Sequence, residues 1–226
     1  GISNTSESAM VARDIAVSEA TGAPVHIAHV STAEAVEVLR AAKSKNLPVT
    51  AETAPHYFLL TDAAVKDCGT HAKMNPPLRS EKDRQAIRQG LADGTIDVIA
   101  TDHAPHSERE KAVAFSQAAN GIIGLESAVS LGLTLVHDGV ISISELIAKM
   151  STRPAGILGL ECGLQPGFRA DITIIDPNIV YTLDADRFQS LSRNCPFDGW
   201  QLKGRPWLTM VGGKIVFNAA KECKDS

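Results

Sequence analysis

Residues 98–106, VIATDHAPH, decide how this chain folds. Val98, Ile99 and Ala100 form the short apolar run expected of a strand in the middle of a parallel sheet, covered on both faces. An Asp and a His follow at once, then a Pro that stops the strand, then a second His. Burying a carboxylate is costly unless something positive meets it. The positive partner is a metal ion, a bound substrate or an Arg, and the choice among them sets the function.

Upstream the same grammar repeats. Ala12, Ile15, Ala16 and Ala20 share one face of a helix that ends at Gly22, the usual left-handed cap. PVHIAHV (24–30) reads as a buried strand. STAEAVEVLRAAKSKN (31–46) reads as a helix with Ser31 as N-cap and Glu34 completing a capping box. PVTAETA (48–54) is a second strand, SEKDRQAIRQGLADG (80–94) another helix, and IDVIATDHA (96–104) the third strand. This is β-α-β-α-β at the spacing of parallel crossover units. Helical stretches follow at 124–137, 143–151 and 153–160. From Gly167 the pattern changes to short β-branched segments at 169–177, 178–183 and 207–217, with Gly212-Gly213 marking a hairpin. A boundary is therefore expected near 165, between an α/β body (1–165) and a small β appendage (166–226).

With 226 residues, 44% of them hydrophobic and 21% charged, the chain can bury a sizeable core like an ordinary soluble domain. A net charge of −4 gives no reason to expect nucleic acid or an anionic membrane as partner. Cys68, Cys162, Cys195 and Cys223 are widely spaced, a pattern of reduced structural thiols that fits a cytoplasmic protein. No signal peptide is visible, and the longest apolar stretch (121–136) is interrupted by Glu126 and too short to span a bilayer. The chain starts without Met, already close to a helix, and reads as a sequence entered in the middle.

The three strands end in polar residues: the first at His29, the second in APHY with His56, the third at Asp102, with His103 and His106 beyond. In parallel α/β folds ligands bind at the carboxyl ends of strands, so these residues are expected to face one site. Imidazole and carboxylate are zinc ligands. Each residue alone has a plainer reading. A single strand-end His is more often a capped structural residue, and His26, three residues before His29, is expected on the opposite face by strand alternation. Asn75 before Pro is ordinary turn chemistry, and the charges of HSEREK (106–111) read as a solvated loop. Asp102 is harder to dismiss, because an acid ending an apolar strand has no cheap structural role.

Taken together, HIAHVST (26–32), ETAPHYFLL (52–60), KMNPPLR (73–79), DVIATDHAPHSEREK (97–111) and NCPFDGWQLKG (194–204) resemble bacterial dihydroorotases, within the metal-dependent amidohydrolase superfamily. The resemblance runs in order along essentially the whole chain. It implies an α/β fold, a (β/α)₈ TIM-type barrel of which strands six to eight are present, with part of a small β-sandwich. It implies His29 as a metal ligand and Asp102 as both metal ligand and catalytic base. His106 and Asn75 become substrate contacts. The family's aromatic-Gly backbone contact falls on Asn120-Gly121, where only Gly121 matches. The activity implied is the interconversion of N-carbamoyl-L-aspartate and dihydroorotate in pyrimidine synthesis. In hydrolysis a metal-activated water attacks the ring carbonyl, and Asp102 passes its proton to the leaving nitrogen.

The family's zinc pair also uses a first-strand HxH, a bridging acid or carboxylated lysine and a fifth-strand His, none of which has a candidate here. Two ligands are too few for a catalytic zinc, and three strands close no barrel. The expectation is therefore the carboxyl-terminal half of such an enzyme, completed by an amino-terminal half. A small-molecule substrate, a homo-oligomer and an associated aspartate transcarbamoylase are the expected partners. Two alternatives stand beside it: another cyclic amidohydrolase (allantoinase or dihydropyrimidinase), and a non-catalytic assembly partner of dihydroorotase type.

Overall fold

The computed structural model describes residues 2–222, so Cys223 lies outside the described residues. Two compact units are present: Gly1–Glu126 with Asp184–Asp198, and Ser127–Leu183 with Gly199–Ser226. The division expected near 165 marks the change from helical to strand grammar rather than the division into compact bodies. The apolar helix Ala128–His137 packs on a strand of the second unit, and residues 184–198 return to the first.

The first unit holds a parallel sheet in the order β1 (Val25–Ile27), β2 (Val49–Thr53), β3 (Val98–Ile99). Its register pairs His26 with Thr50 and Thr53 with Ile99. Helix α2 (Ala33–Ser44) and the helix Glu81–Ala92 supply the two crossovers, and α1 (Asn4–Thr21) precedes β1 and packs on α2. Val30, Val36, Leu39, Ala51, Phe58, Ile87, Leu91 and Ile96 are essentially inaccessible. Each large apolar side chain so buried contributes about 1.5–3 kcal/mol. Strands β1 and β3 are shorter than the segments 24–30 and 96–104 because the backbone turns left-handed at His29 (φ 43°) and Asp102 (φ 48°).

Two local readings change. The buried face of α1 is Val11, Ile15 and Ser18, an i, i+4, i+7 stripe, whereas Ala12, Ala16 and Ala20 are exposed. The N-cap of α2 is Thr32, whose hydroxyl accepts from the Ala35 N–H, and not Ser31. Ser31 is turned instead toward Glu7.

In the second unit β4 (Ile172–Thr182), β5 (Gln201–Val211) and β6 (Lys214–Asn218) form an antiparallel sheet, with Gly212 and Gly213 at positive φ in the hairpin. The segments 169–177 and 178–183 form one strand whose register slips between Asp176 and Val180. Pro177 has no N–H for the ladder, and the Asp176 carboxylate takes the Asn178 N–H instead. Among the described residues no helix is long and apolar enough to cross a membrane.

Asp83 ties three elements of the first unit together. Its carboxylate accepts from the Ala33 N–H at 2.9 Å, from Asn4 Nδ2 at 3.0 Å and from the N–H and hydroxyl of Ser80, closing a capping box. Burial pushes its pKa up, but the bonds from Ala33, Ser80 and Asn4 outweigh this and hold it below 3.8. Asp83→Asn is expected to cost about 1–3 kcal/mol in denaturant unfolding at pH 7. Because the folded pKa is depressed, this contribution is present above pH 3.8 and is lost as pH falls through the lower folded value. The stabilities of the wild type and the Asp83→Asn variant should therefore converge in acid; a gap that persists would contradict the assignment.

Candidate active site

The end of β2 organises the site. The Glu52 carbonyl accepts the Val30 N–H at 2.8 Å, and the Thr53 carbonyl accepts the Ala100 N–H at 2.9 Å. The Thr53 hydroxyl donates to the Val30 carbonyl at 2.8 Å. The residues flanking His29 on one side of β2 and Asp102 on the other are thereby fixed. Both are non-glycine residues at positive φ, a conformation that costs of order 1–3 kcal/mol and collects at functional sites.

Asp102 is half-buried, and burial raises its pKa; His29 opposes that rise and Glu52 adds to it. His56 follows β2 in the turn Pro55–Leu59 and is 1% exposed. Burial, with a smaller push from His29, lowers its pKa to about 3, so the ring is neutral. Its Nε2 has no hydrogen-bond partner and lies 3.8 Å from Asp102 Oδ2. His29, His56 and Asp102 thus share one electrostatic neighbourhood.

A cleft of about 400 Å³ is lined by His26, His29, Asn75, Arg79, Glu7 and Met10, among others. It brings His29 and Asn75 together; Asp102 and His106 are not among its lining residues. His26, expected on the opposite face, lines the same cleft as His29. Strand alternation ends at Ile27, and the left-handed turn at His29 reverses the side. His26 Nδ1 is 2.8 Å from the Thr50 hydroxyl, and its Nε2 is 3.2 Å from Glu52.

The loop after His29 is held by Glu7 of α1. Its carboxylate accepts the Ser31 N–H (2.8 Å), the Thr32 N–H (3.0 Å), the Thr32 hydroxyl (3.0 Å) and the Ser31 hydroxyl. Arg79, buried at the end of KMNPPLR, donates to Ser31 Oγ and to the Ile2 carbonyl. Tyr57 donates its hydroxyl to the Pro76 carbonyl at 2.7 Å, which anchors the Asn75 turn.

His106 Nε2 donates to the Asn120 carbonyl at 2.8 Å, and Nδ1 is 3.8 Å from Glu110. Asn120 therefore acts here through its backbone. Gly121 (φ 132°) sits so close that a Cβ would meet the Ala104 Cβ at 2.5 Å and His106 Nε2 at 3.2 Å. Asn194 Nδ2 donates to the Ala104 and Gly121 carbonyls, both at 3.0 Å, and clamps the two sides. Lys111, expected in a solvated loop, is buried. Its ammonium donates to the carbonyls of Lys73, Ala119 and Gly121, and burial, with Lys73 nearby, lowers its pKa to about 8.

Glu7, Asn194 and Lys111 are the residues that sequence reasoning did not place in the site, and His56 was expected to face it without a role of its own. The signal for His56 was its position just past a strand end; the other three carried none. His29 and Asp102 offer one imidazole and one carboxylate, donors suited to zinc. Among the described residues no group of three His, Cys, Asp or Glu converges to hold a metal. The donor types therefore fit the expected ion, but the described residues do not supply a complete set.

Comparison with known proteins follows the same lines. The Amidohydrolase family model matches residues 5–216. A curated dihydroorotase of Desulforapulum autotrophicum is 58% identical over 96% of this chain and 51% of the relative, and one of Syntrophotalea carbinolica is 56% identical over the same shares. The chain spans about half the length of the curated relatives it matches. Among solved structures, the L-hydantoinase (dihydropyrimidinase) of Arthrobacter aurescens superposes with a TM-score of 0.89 at 31% identity, over 93% of this chain and 48% of that one. A TIM-barrel-type α/β fold follows from this likeness.

Gly121→Ala is expected to force Ala104 and His106 apart and to lose roughly 1–3 kcal/mol through overpacking. Thermal unfolding together with the His106 ring resonances checks this; unchanged stability and unchanged resonances would refute the close approach.

Proposed function

The chain belongs to the amidohydrolase family, and on that premise we propose that it supplies the carboxyl-terminal half of a dihydroorotase. The substrates are then N-carbamoyl-L-aspartate and dihydroorotate. Residues 1–165 would contribute barrel strands six to eight and residues 166–226 part of the β-sandwich. The observation that carries this reading is the pair His29 and Asp102, set on left-handed backbone at two strand ends pinned to β2. Identities of 51–58% to curated dihydroorotases support it over hydantoin chemistry, for which the solved relatives are 24–31% identical.

His29 through its imidazole and Asp102 through its carboxylate would hold zinc, with the remaining ligands supplied by the other half. Bound zinc polarises a carbonyl and acidifies water. A nearby cation also offsets the cost that burial imposes on ionised Asp102. Asp102 accepts the proton of the attacking water and delivers it to the ring nitrogen as the C–N bond breaks; ring closure runs the same transfer backwards. Asn75, exposed in the cleft beside His29, offers an amide to a substrate carboxylate. His106 would exchange the Asn120 carbonyl for that carboxylate, moving a donor already formed.

The test pairs residues 1–226 with the remaining half of the Desulforapulum dihydroorotase by co-expression. Ring closure of carbamoyl-aspartate and bound zinc are expected from the pair and from neither half alone. Asp102→Asn should lower turnover by about 10²–10⁴-fold with the fold intact. Preference for hydantoin or dihydrouracil would favour the dihydropyrimidinase alternative. A pair that assembles, binds no zinc and turns over no cyclic amide would favour the non-catalytic reading.

A further inference from the structure

We propose that His56 is the positioning residue for Asp102: its Nε2–H is the donor that fixes the carboxylate through Oδ2 and leaves Oδ1 free. The proposal rests on the reading of Asp102 as the reacting acid.

Four observations carry it. His56 is buried on all sides, so its ring has no solvent to turn toward. Among the described residues, its Nε2 is the buried side-chain nitrogen or oxygen without a hydrogen-bond partner. That nitrogen lies 3.8 Å from Asp102 Oδ2, longer than a formed bond. The turn that carries His56 is itself rigid: it starts at Pro55, the Tyr57 hydroxyl is tied to the Pro76 carbonyl, and the His56 carbonyl accepts the Leu60 N–H.

A buried polar nitrogen left unpaired is unfavourable, so a native fold keeps one where a partner arrives. Catalytic hydrogen bonds are often long in a free enzyme and close when the site fills. A small shift of Asp102 toward Nε2, on backbone already held by the Ala100 N–H, completes the bond. A lone pair on Nε2 would instead face the carboxylate and repel it. The proton therefore belongs on Nε2, and a partly exposed acid is steered by a fully buried donor.

The test needs no substrate. The chain carrying ¹⁵N-histidine is examined by long-range ¹H–¹⁵N correlation at neutral pH, as wild type and as Asp102→Ala. The expected result is a His56 ring protonated on Nε2, whose Nε2 resonance shifts in Asp102→Ala while that of His137, in the other compact unit, does not. A ring protonated on Nδ1, or an Nε2 resonance that ignores the substitution, would overturn the proposal. A second arm uses the co-expressed pair. His56→Phe, which keeps the ring and loses the donor, should lower kcat by about 10–100-fold with KM little changed, and His56→Gln should recover part of the loss. Equal losses in Phe and Gln would also overturn it. Failure of the dihydroorotase reading would appear as no turnover in the unmutated pair, whereas the resonance result would stand or fall independently.

Discussion

Everything in the site depends on how β2 ends. Its last two residues, Glu52 and Thr53, accept the amides of Val30 and Ala100, and this fixes the two chains that leave β1 and β3. Each of those chains then turns through a left-handed residue that is not glycine. Such a turn is unfavourable by itself and persists only where surrounding contacts overdetermine it. The Thr53 hydroxyl on the Val30 carbonyl and the Glu7 carboxylate on Ser31 and Thr32 are those contacts at His29. Side chains at 29 and 102 are thereby lifted off the strand faces and presented at the sheet end.

Charge placement follows from that geometry. Asp102 is held where burial disfavours its ionised form, and His56 where burial disfavours its protonated form. Both environments oppose charge until a cation or substrate arrives. Three charges of the framework are saturated instead: Glu7 by two amides and two hydroxyls, Lys111 by three carbonyls, Asp83 by amides, a hydroxyl and Asn4. Among the described residues the buried side-chain atom without a hydrogen-bond partner, His56 Nε2, lies beside Asp102.

The sequence showed the strand-helix order well, because short apolar runs alternate with helical stretches that carry recognisable caps. It showed Asp102 and His29 as strand-end residues for the same reason. It misjudged His26, because alternation assumes a strand that continues, and β1 stops at Ile27. It misjudged Lys111 and did not place Asn194, since both are fixed by contacts across 10 and 73 residues of chain to Gly121, and no local pattern encodes those. The division near 165 followed the change in periodicity, whereas compactness is set by the apolar helix Ala128–His137 packing on β5.

The central claim is that His29 and Asp102 share one cation. Diffraction at the zinc absorption edge from crystals of this chain assembled with its complementary half tests it most directly. Zinc should appear about 2.0–2.1 Å from a His29 ring nitrogen and about 2.0–2.2 Å from an Asp102 oxygen. Zinc bound at full occupancy to other residues, with His29 and Asp102 both outside bonding distance, would contradict it.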